Sequence, residues 1–311
     1  MVDLTKYEPN RDKVRNEYKV SCEELVSMLT KNKHNLSYYH LTTWSKLCKM
    51  MEHVTVPDDG TVHRMLHLGA AVNMNDEYDK KCGKGVFFTS FSFGPAENIS
   101  MWTNYGIPNK EAVRVRFYKT VFLDWYDSSK SGIRVYGVNP DGSLEPLSSK
   151  PELKLVDVAY WSHYIRQGKV VDPNIGIFIH DRNKFRLPAG TDIESFMKEK
   201  GQYMFKEAGW NYESEARLVL EFDEDLADRY GRVAIPFDEP LDNLDKYFNS
   251  EVMCGPWFDP CKLPEKTAAG HRLDEACKSY YWGKVNMRSV CDDCPKKNDN
   301  VACKCEYKQQ R

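Results

Sequence analysis

The strongest constraint on the fold is a strict alternation in "ESEARLVL", residues 213 to 220. Charged Glu213, Glu215 and Arg217 alternate with small or apolar residues such as Ala216 and Leu218. Because successive strand residues point to opposite faces, this period of two predicts a strand with one apolar and one charged face. Two carboxylates and an arginine on one face belong either to a solvated surface or to the wall of a cleft.

The composition is that of a globular protein. The 311 residues suffice for one large or two ordinary domains, and 29% are charged while 41% are hydrophobic. No apolar run approaches a membrane span and the N-terminal stretch has no signal-peptide core, so we expect a cytoplasmic protein without a membrane partner. The net charge of −2 gives no overall basic footprint for nucleic acid, although a local basic groove stays open.

The first third of the chain alternates helix and strand patterns. Ser21 and Glu24 have capping-box spacing at the start of a helix, "LSYYHLTT" predicts a strand, and "TWSKLCKMMEHV" has helical apolar spacing. Residues 56 to 85 are expected to be loop. A strand in "GVFFTSFSF" precedes a short helix that Pro95 should open and Gly106 should end.

Further strand patterns follow. "AVRVRFY" predicts a strand, and residues 133 to 160 alternate around the turn "NPDGS". "FMKEKGQYMFKEA" predicts a helix that leads into the alternating stretch. Most of the ten cysteines lie after residue 250, where apolar content falls. We therefore expect a main α+β domain over residues 1–250 and a Cys-rich C-terminal extension over residues 251–311.

Four stretches, in order, resemble motifs of the bacterial family called domain of unknown function 2971. They are "YYHLTTWSKL", "NMNDEYD", "VFFTSFSFGPAENISMWTNYG" and "FKEAGWNYESEARLV". The matching features are a His before a helix, an Asn-Asp pair before an acid, Phe-Ser followed by Met-Trp, and Lys, Trp, Tyr-Glu, Glu and Arg. The resemblance covers about residues 38 to 260. It leaves out the Cys-rich tail.

The order of polar residues is also similar to that of the ADP-ribosyltransferases. Their motif has a His or Arg on an early strand, a Ser or Tyr element in the middle and a Glu on a later strand, and "YHLT" resembles their DNA-modifying toxin branch. This resemblance implies an α+β fold with a split, mostly antiparallel β-sheet core, flanking helices and an NAD-binding cleft. It implies a transferase that modifies a nucleic-acid or protein acceptor, such as a bacterial toxin or a phage-defence effector.

The resemblance also implies roles for individual residues. Glu215 would be the first candidate for catalysis, with Glu213 and Arg217 beside it. A carboxylate there would stabilise the oxocarbenium-like ribose that forms when the nicotinamide bond of NAD breaks. The residues expected to contact NAD are His40, Thr42, Ser90, Ser92, Trp102 and Tyr105. The sequence departs from the family motif because "TSFS" is a loose substitute for Ser-Thr-Ser.

Structural interpretations compete with each role. His40 can be a core or surface histidine, Ser90 and Ser92 small strand residues, and Trp102 a core residue at helical spacing from Ile99. Two other functions stay open: a non-catalytic binding or sensor module on the same fold, and a metal-dependent nuclease. The nuclease would use Asp76, Glu213 and Glu215, although Asn75 and Asp76 are more typical of a turn or helix cap.

The tail has a metal-ligand pattern of its own. Cys291 and Cys294 form a C-x-x-C pair, and Cys303 and Cys305 form a C-x-C pair eight residues later. Four thiolates on a segment poor in apolar residues predict a tetrahedral zinc site. An iron–sulfur cluster and disulfides are the alternatives. Three further cysteines are candidates to replace one ligand: Cys254, Cys261 and Cys277.

Overall fold

The computed structural model of the protein describes most of the chain in separate stretches. These are residues 17–31, 37–93, 97–106, 110–161, 165–166, 169–170, 177–179, 183–188, 190–259 and 266–281. Every structural statement below concerns these residues.

The described strands are short, and most lie in one large sheet. In chain order they are β1 (Glu17–Lys19), β2 (Tyr38–Thr43), β3 (Val54–Thr55), β4 (Val62–His63), β5 (Met65–Ala70), β6 (Val86–Phe93), β7 (Ala112–Phe117), β8 (Tyr136–Val138), β9 (Leu144–Pro146), β10 (Leu153–Asp157), β11 (Ala159–Trp161), β12 (Ile165–Arg166), β13 (Lys169–Val170), β14 (Ile177–Ile179), β15 (Asn183–Arg186), β16 (Phe205–Glu207), β17 (Glu215–Glu221), β18 (Arg232–Pro236), β19 (Val252–Cys254) and β20 (Cys277–Lys278).

The described α-helices are short as well. They are α1 (Cys22–Thr30), α2 (Trp44–Met51), α3 (Glu77–Lys80), α4 (Ile99–Gly106), α5 (Lys119–Ser129), α6 (Ile193–Lys200), α7 (Asp238–Lys246) and α8 (Phe248–Glu251). The capping box predicted at the start of α1 is confirmed, because the Ser21 side chain accepts from the Glu24 N–H and the Glu24 carboxylate accepts from the Ser21 N–H. Thr43 caps α2 with a single bond, because its side chain accepts from the Lys46 N–H, so β2 passes directly into that helix.

The main sheet divides at β6. Its strand order is β20-β19-β7-β2-β6-β5-β18-β8-β9, and β17 pairs with both β6 and β10. Along one edge, β6 pairs continuously with β17. Along its other edge, β6 pairs with β2 at residues 92 and 93 and with β5 at residues 87 and 88. The sheet therefore splits beside residues 89 to 91, where β2 and β5 diverge.

Two core clusters cover the two faces of the main sheet. One face packs against α2, α5, α7 and α8 through aromatic and aliphatic residues such as Trp44, Phe122 and Leu241. The other face carries Phe88 and Val219 and packs against α1, α6 and a second sheet of order β1-β15-β14-β11-β16. The mostly antiparallel main sheet with its separate helices confirms the predicted α+β class.

Several element predictions need correction. The stretch expected as loop contains β5, whose Leu66, Leu68 and Ala70 point into the core. The helix expected from Pro95 begins at Ile99, and residues 94–96 lie outside the described part. The boundary expected at residue 250 falls inside the main sheet, because β19 pairs with β7 and β20 pairs with β19. Apolar burial continues past residue 250, and composition alone did not show this.

None of the described helices is long and apolar enough to span a bilayer.

Candidate functional site

The charged face predicted on β17 is buried. Glu215 is opposite Ser92, Arg217 is opposite Ser90, and Tyr39 of β2 is opposite Ser92. Since cross-strand partners share a face, these side chains line one side of the main sheet, the side that meets the second sheet. Arg217 is fully buried and Glu215 is only 3% exposed. The carboxylates and the arginine therefore form an interior cluster and not a solvated surface.

Arg217 is the centre of this cluster. Its Nε lies 2.7 Å from Glu215 Oε1 and its Nη2 lies 3.2 Å from Glu215 Oε2. On the other side, Nη1 and Nη2 donate to the two carboxylate oxygens of Asp79 at 2.7 and 3.2 Å. The guanidinium also donates to the Tyr203 carbonyl and lies 4.3 Å from the Phe88 ring centroid. These contacts give hydrogen-bond acceptors to the N–H groups of the guanidinium, which a buried charge requires.

Lys206 brings a second cation from the other sheet. Its Nζ lies 2.6 Å from Glu213 Oε2 and 3.3 Å from Glu215 Oε2, and 4.8 Å from the Trp210 ring centroid. Two cations thus face three carboxylates, Glu213, Glu215 and Asp79. With all five groups ionised, the cluster carries one net negative charge.

The backbone between the two glutamates explains how both reach Lys206. The strand predicted from the alternation at residues 213 to 220 starts later than its first charged residue: a 3₁₀ turn covers Ala208–Glu213, and β17 starts only at Glu215. Ser214 between them has φ of 44°, in the left-handed region. This conformation breaks the alternation, so Glu213 is not simply the next outward strand residue. A non-glycine residue there stores strain, which is frequent at functional sites.

The electrostatics of the cluster keep Glu215 ionised. Burial alone would raise its pKa, but the charges of Arg217 and Lys206, with hydrogen bonds from Arg217 and Ser90, lower the pKa of Glu215 to about 2. Burial raises the pKa of Asp79, and Glu215 adds to this effect against the opposing charge of Arg217. Burial opposes the charge on Lys206, but Glu215 and Glu213 raise the pKa of Lys206. Glu215 is therefore the firmly anionic carboxylate at neutral pH.

Two of the residues predicted to contact NAD share this face. The Ser90 hydroxyl donates to Glu215 Oε1. The Ser92 hydroxyl donates to the Tyr39 carbonyl at 3.4 Å, which is a weak bond. Both serines are half-buried, whereas the cluster behind them is closed to water. Ser90 and Ser92 are therefore more exposed than the charged residues of the cluster.

His40 and Thr42 lie on the opposite face of the sheet. They alternate with Tyr39 along β2, and the His40 ring packs 5.3 Å from the ring of Phe91 in the core. His40 still reaches the site through the backbone, because its Nδ1 lies 2.9 Å from the Ser90 carbonyl oxygen. A carbonyl only accepts, so Nδ1 carries the proton, and burial lowers the pKa of His40. A neutral imidazole thus fills the split in the sheet.

The aromatic residues predicted to stack on nicotinamide do not form an exposed platform. Trp102 is 1% exposed, and its indole N–H donates to Glu97 Oε2 at 2.9 Å. The expectation that Trp102 faces the ligand is therefore corrected, since helical spacing from Ile99 turned it inward. Tyr105 belongs to the same helix, but its side chain lies outside the described part of the structure.

Sequence reasoning missed three members of the cluster. Asp79 comes from α3, in the motif where Asp76 was the candidate; Asp76 is buried but does not contact Arg217 in the described contacts. Lys206 belongs to the fourth motif, and its spacing before Glu213 was the available signal. The Tyr160 hydroxyl, from the second sheet, accepts the Glu215 backbone N–H at 2.9 Å. No local pattern indicates that last contact.

The metal predictions have different outcomes. Among the described residues, no group of three or more His, Cys, Asp or Glu side chains is arranged to hold a metal ion. Lys206 occupies the place between Glu213 and Glu215 that a nuclease cation would need. The predicted zinc ligands Cys291, Cys294, Cys303 and Cys305 lie outside the described residues, as does Cys261. Cys254 is buried in the core next to the Leu273 carbonyl.

The chain was compared with known proteins in three ways. No family model, no curated protein and no solved structure matches it. The resemblance to domain of unknown function 2971 therefore stays a prediction from the four motifs.

Proposed function

We propose that the protein is an NAD-dependent ADP-ribosyltransferase in which Glu215 stabilises the positive charge that develops on ribose. One observation carries the proposal. Glu215 is a buried carboxylate whose pKa is lowered to about 2, and the half-buried Ser90 of the neighbouring strand holds its outer side. An anion fixed in a poorly solvated place stabilises a nearby cation far more strongly than one in water does.

The chemistry needs few groups. The bond between nicotinamide and ribose breaks, the bonding electrons leave with nicotinamide, and the ribose becomes oxocarbenium-like. A nucleophilic oxygen or nitrogen of the acceptor then bonds to the same carbon and loses its proton. Glu215 would stabilise the cationic ribose, and Glu213 would take part in acceptor contact. With all five groups ionised, the cluster carries one net negative charge, which supports this assignment.

The fold supports the same proposal. The main sheet splits along one edge of β6 beside Ser90, and Glu215 lies on β17, which pairs with the other edge of β6. A split, mostly antiparallel sheet with a late-strand glutamate is the arrangement that the ADP-ribosyltransferase resemblance implies. The acceptor would be a nucleic acid or a protein, as for a bacterial toxin or a phage-defence effector.

A non-catalytic binding module is the second candidate, and one observation favours it. Glu215 Oε1 accepts from Ser90 and Arg217, and Oε2 accepts from Arg217 and Lys206. A carboxylate has about four acceptor positions, so these contacts saturate it. A ribose hydroxyl would have to replace the Ser90 hydroxyl. If this exchange does not occur, the cluster serves stability alone.

Labelled NAD separates the two candidates. The wild-type protein is incubated with NAD labelled in the adenylate part, together with mixed DNA, RNA and protein acceptors, and free nicotinamide is measured in parallel. We expect label on one acceptor class and one nicotinamide released per transfer. Saturable NAD binding with neither label transfer nor nicotinamide release would support the binding module. A protein that neither binds nor consumes NAD would contradict the proposal.

A further inference from the structure

The first residue of β17 lies where the neighbouring strand β10 leaves the main sheet. The pairing of β17 with β10 ends at Ala216, opposite Asp157, and the chain then continues into β11 of the second sheet. The Val158 N–H still donates to the Glu215 carbonyl oxygen at 2.9 Å. In a regular antiparallel ladder, two such residues exchange both bonds. Here the Glu215 N–H donates instead to the side-chain hydroxyl of Tyr160, at 2.9 Å.

This hydroxyl fixes one end of a peptide unit whose other end is also bonded. The Ser214 carbonyl oxygen accepts from the Phe93 N–H at 3.1 Å. That oxygen and the Glu215 N–H belong to the same planar peptide unit. β6 therefore holds one end of the unit, and Tyr160 holds the other. Because the chain enters β17 from the left-handed Ser214, the plane of this unit helps to set the direction in which the Glu215 side chain leaves the backbone.

Tyr160 and Lys206 act on Glu215 as a pair. They are in register on the parallel strands β11 and β16, so their side chains leave the second sheet on the same face. Tyr160 accepts from the backbone N–H of Glu215, and Lys206 Nζ lies 3.3 Å from Glu215 Oε2. Two adjacent side chains of the second sheet therefore hold the backbone and the carboxylate of the same residue.

The Tyr160 hydroxyl keeps its proton. Tyr160 is buried, and burial, together with the charges of Glu215 and Glu213, raises the pKa of Tyr160 well above its ordinary value of 10. A neutral hydroxyl accepts an N–H bond without adding a charge beside Glu215. The contact therefore persists over the pH range in which Glu215 is anionic.

We propose that Tyr160 is a positioning residue for Glu215: its hydroxyl fixes the peptide unit between Ser214 and Glu215 and so keeps the carboxylate in the geometry in which it acts on the ligand. The catalytic consequence rests on the proposed function, whereas the effect on the Glu215 backbone does not depend on it. Without the hydroxyl, the buried Glu215 N–H loses its acceptor, and the peptide unit turns toward another one. A carboxylate displaced by about 1 Å acts much less well on a reacting group.

Tyr126 supplies a matched control. Its hydroxyl also accepts a strand N–H, from Leu155 of β10 at 3.2 Å. Leu155 is opposite Leu218, further along β17 than Glu215. Tyr126→Phe therefore removes the same kind of bond from the same pair of strands without touching the peptide unit of Glu215.

Wild type, Tyr160→Phe and Tyr126→Phe are compared at a temperature well below the unfolding transition of each. NMR gives the hydrogen-exchange rates of the Glu215 and Leu155 amides and the chemical shift of the Glu215 carboxyl carbon. Nicotinamide release from NAD gives kcat and KM.

In Tyr160→Phe we expect the Glu215 amide to exchange about tenfold faster and its carboxyl shift to move. The kcat should fall about tenfold or more, because the carboxylate is displaced from the reacting ribose. The KM for NAD should stay within about twofold of wild type, since the contact matters in the transition state. In Tyr126→Phe, only the Leu155 amide should exchange faster.

The outcomes separate this inference from the proposed function. An unchanged Glu215 amide and carboxyl shift in Tyr160→Phe would overturn the inference, and so would a faster amide with wild-type kcat. If wild type released no nicotinamide, the transferase proposal would fail and the carboxyl shift would decide about Tyr160. A shift that moves in Tyr160→Phe but not in Tyr126→Phe supports positioning, and one that stays overturns it. If Tyr160→Phe does not fold, the wild-type exchange rate decides: a Glu215 amide protected like the interior of β17 supports the contact, and one as labile as an exposed strand end overturns it.

Discussion

The hydroxyl of Ser90 donates to the carboxylate of Glu215 across two neighbouring strands, at the point where the main sheet splits. Behind this contact, Arg217 and Lys206 hold the same carboxylate from inside the protein. Ser90 is half-buried whereas Arg217 and Lys206 are buried, so under the proposed function a ligand would replace the Ser90 contact. The backbone carbonyl oxygen of the same residue accepts from His40 Nδ1, which adds a contact between β2 and β6 beside the split.

Glu215→Gln should remove transfer activity while NAD binding persists. The substitution deletes the charge that stabilises ribose in the transition state, so we expect kcat to fall about 10²–10³-fold. Glu213→Gln should lower kcat less.

Asp79→Asn is the control, because it removes another carboxylate from Arg217 on the side away from Ser90. Glu215→Gln and Asp79→Asn should each lose up to about 3–5 kcal/mol of unfolding free energy, since each breaks a buried ion pair. Loss of activity in Asp79→Asn equal to that in Glu215→Gln would mean that the cluster acts only through stability.

Ser90→Ala should destabilise the protein more than Ser92→Ala does. The Ser90 hydroxyl bonds to an ionised carboxylate, a bond worth about 1.5–3 kcal/mol, whereas the Ser92 bond to the Tyr39 carbonyl is long. We expect a loss within about 0.5 kcal/mol for Ser92→Ala. Urea denaturation gives both values. Equal losses of unfolding free energy would show that the bond from Ser90 to Glu215 stabilises the protein no more than the long bond of Ser92 does.

The left-handed conformation of Ser214 predicts opposite outcomes for two substitutions. Glycine adopts this conformation without strain, but it also gains entropy in the unfolded chain, so Ser214→Gly should stay within about 1 kcal/mol of wild type. Ser214→Val should lose about 1–3 kcal/mol more, because a β-branched residue resists positive φ. It should also separate Glu213 from Lys206. Comparable stability of the two variants would contradict the strain argument.

Stability should fall as the pH drops from 6.5 toward 4. Burial, helped by Arg232 and Lys49, lowers the pKa of His67 to about 4, and burial also lowers that of His40. Below the ordinary value of 6.5, the unfolded chain binds these protons and the folded protein does not, so protons favour unfolding. Each histidine contributes at most about 1.4 kcal/mol per pH unit. His67→Leu should flatten the curve of unfolding free energy between pH 6.5 and 4, measured by urea titration; an unchanged slope would argue against a buried neutral His67.

Below pH 4.5, a further loss of unfolding free energy comes from Glu215. Glu215 has a folded-state pKa of about 2 against an ordinary value of 4.5. Its contribution is complete above 4.5 and is lost as the pH falls toward 2. Glu215→Gln should therefore remove part of the pH dependence in that window.

Zinc analysis tests the C-terminal extension. We expect about one zinc ion per chain in freshly purified protein, bound by Cys291, Cys294, Cys303 and Cys305 as thiolates. Cys291→Ser with Cys294→Ser should remove the metal, while Cys22→Ser, in a helix of the main fold, should retain it. Metal-free wild-type protein, or equal zinc in all variants, would exclude this ligand set.

The sequence by itself determined the local elements with clear signals. The capping box at Ser21 and Glu24 placed α1, the apolar spacing after Trp44 placed α2, and alternation placed most of β17. These signals arise from contacts within a few residues, which is why they survive in a linear pattern. The sequence also grouped Glu213, Glu215 and Arg217 correctly as one set of charges.

Only the tertiary structure decided what that charged set faces. Period two says that Glu215 and Arg217 share a face, but burial depends on a second sheet that brings Lys206 and Tyr160 from other strands. It also depends on Asp79 of α3, which is 138 residues away from Arg217 along the chain. The same holds for His40, whose side follows from the register of β2 against β6. Partners distant in sequence leave no periodic trace, so the interior ion cluster emerges only when the two sheets pack together.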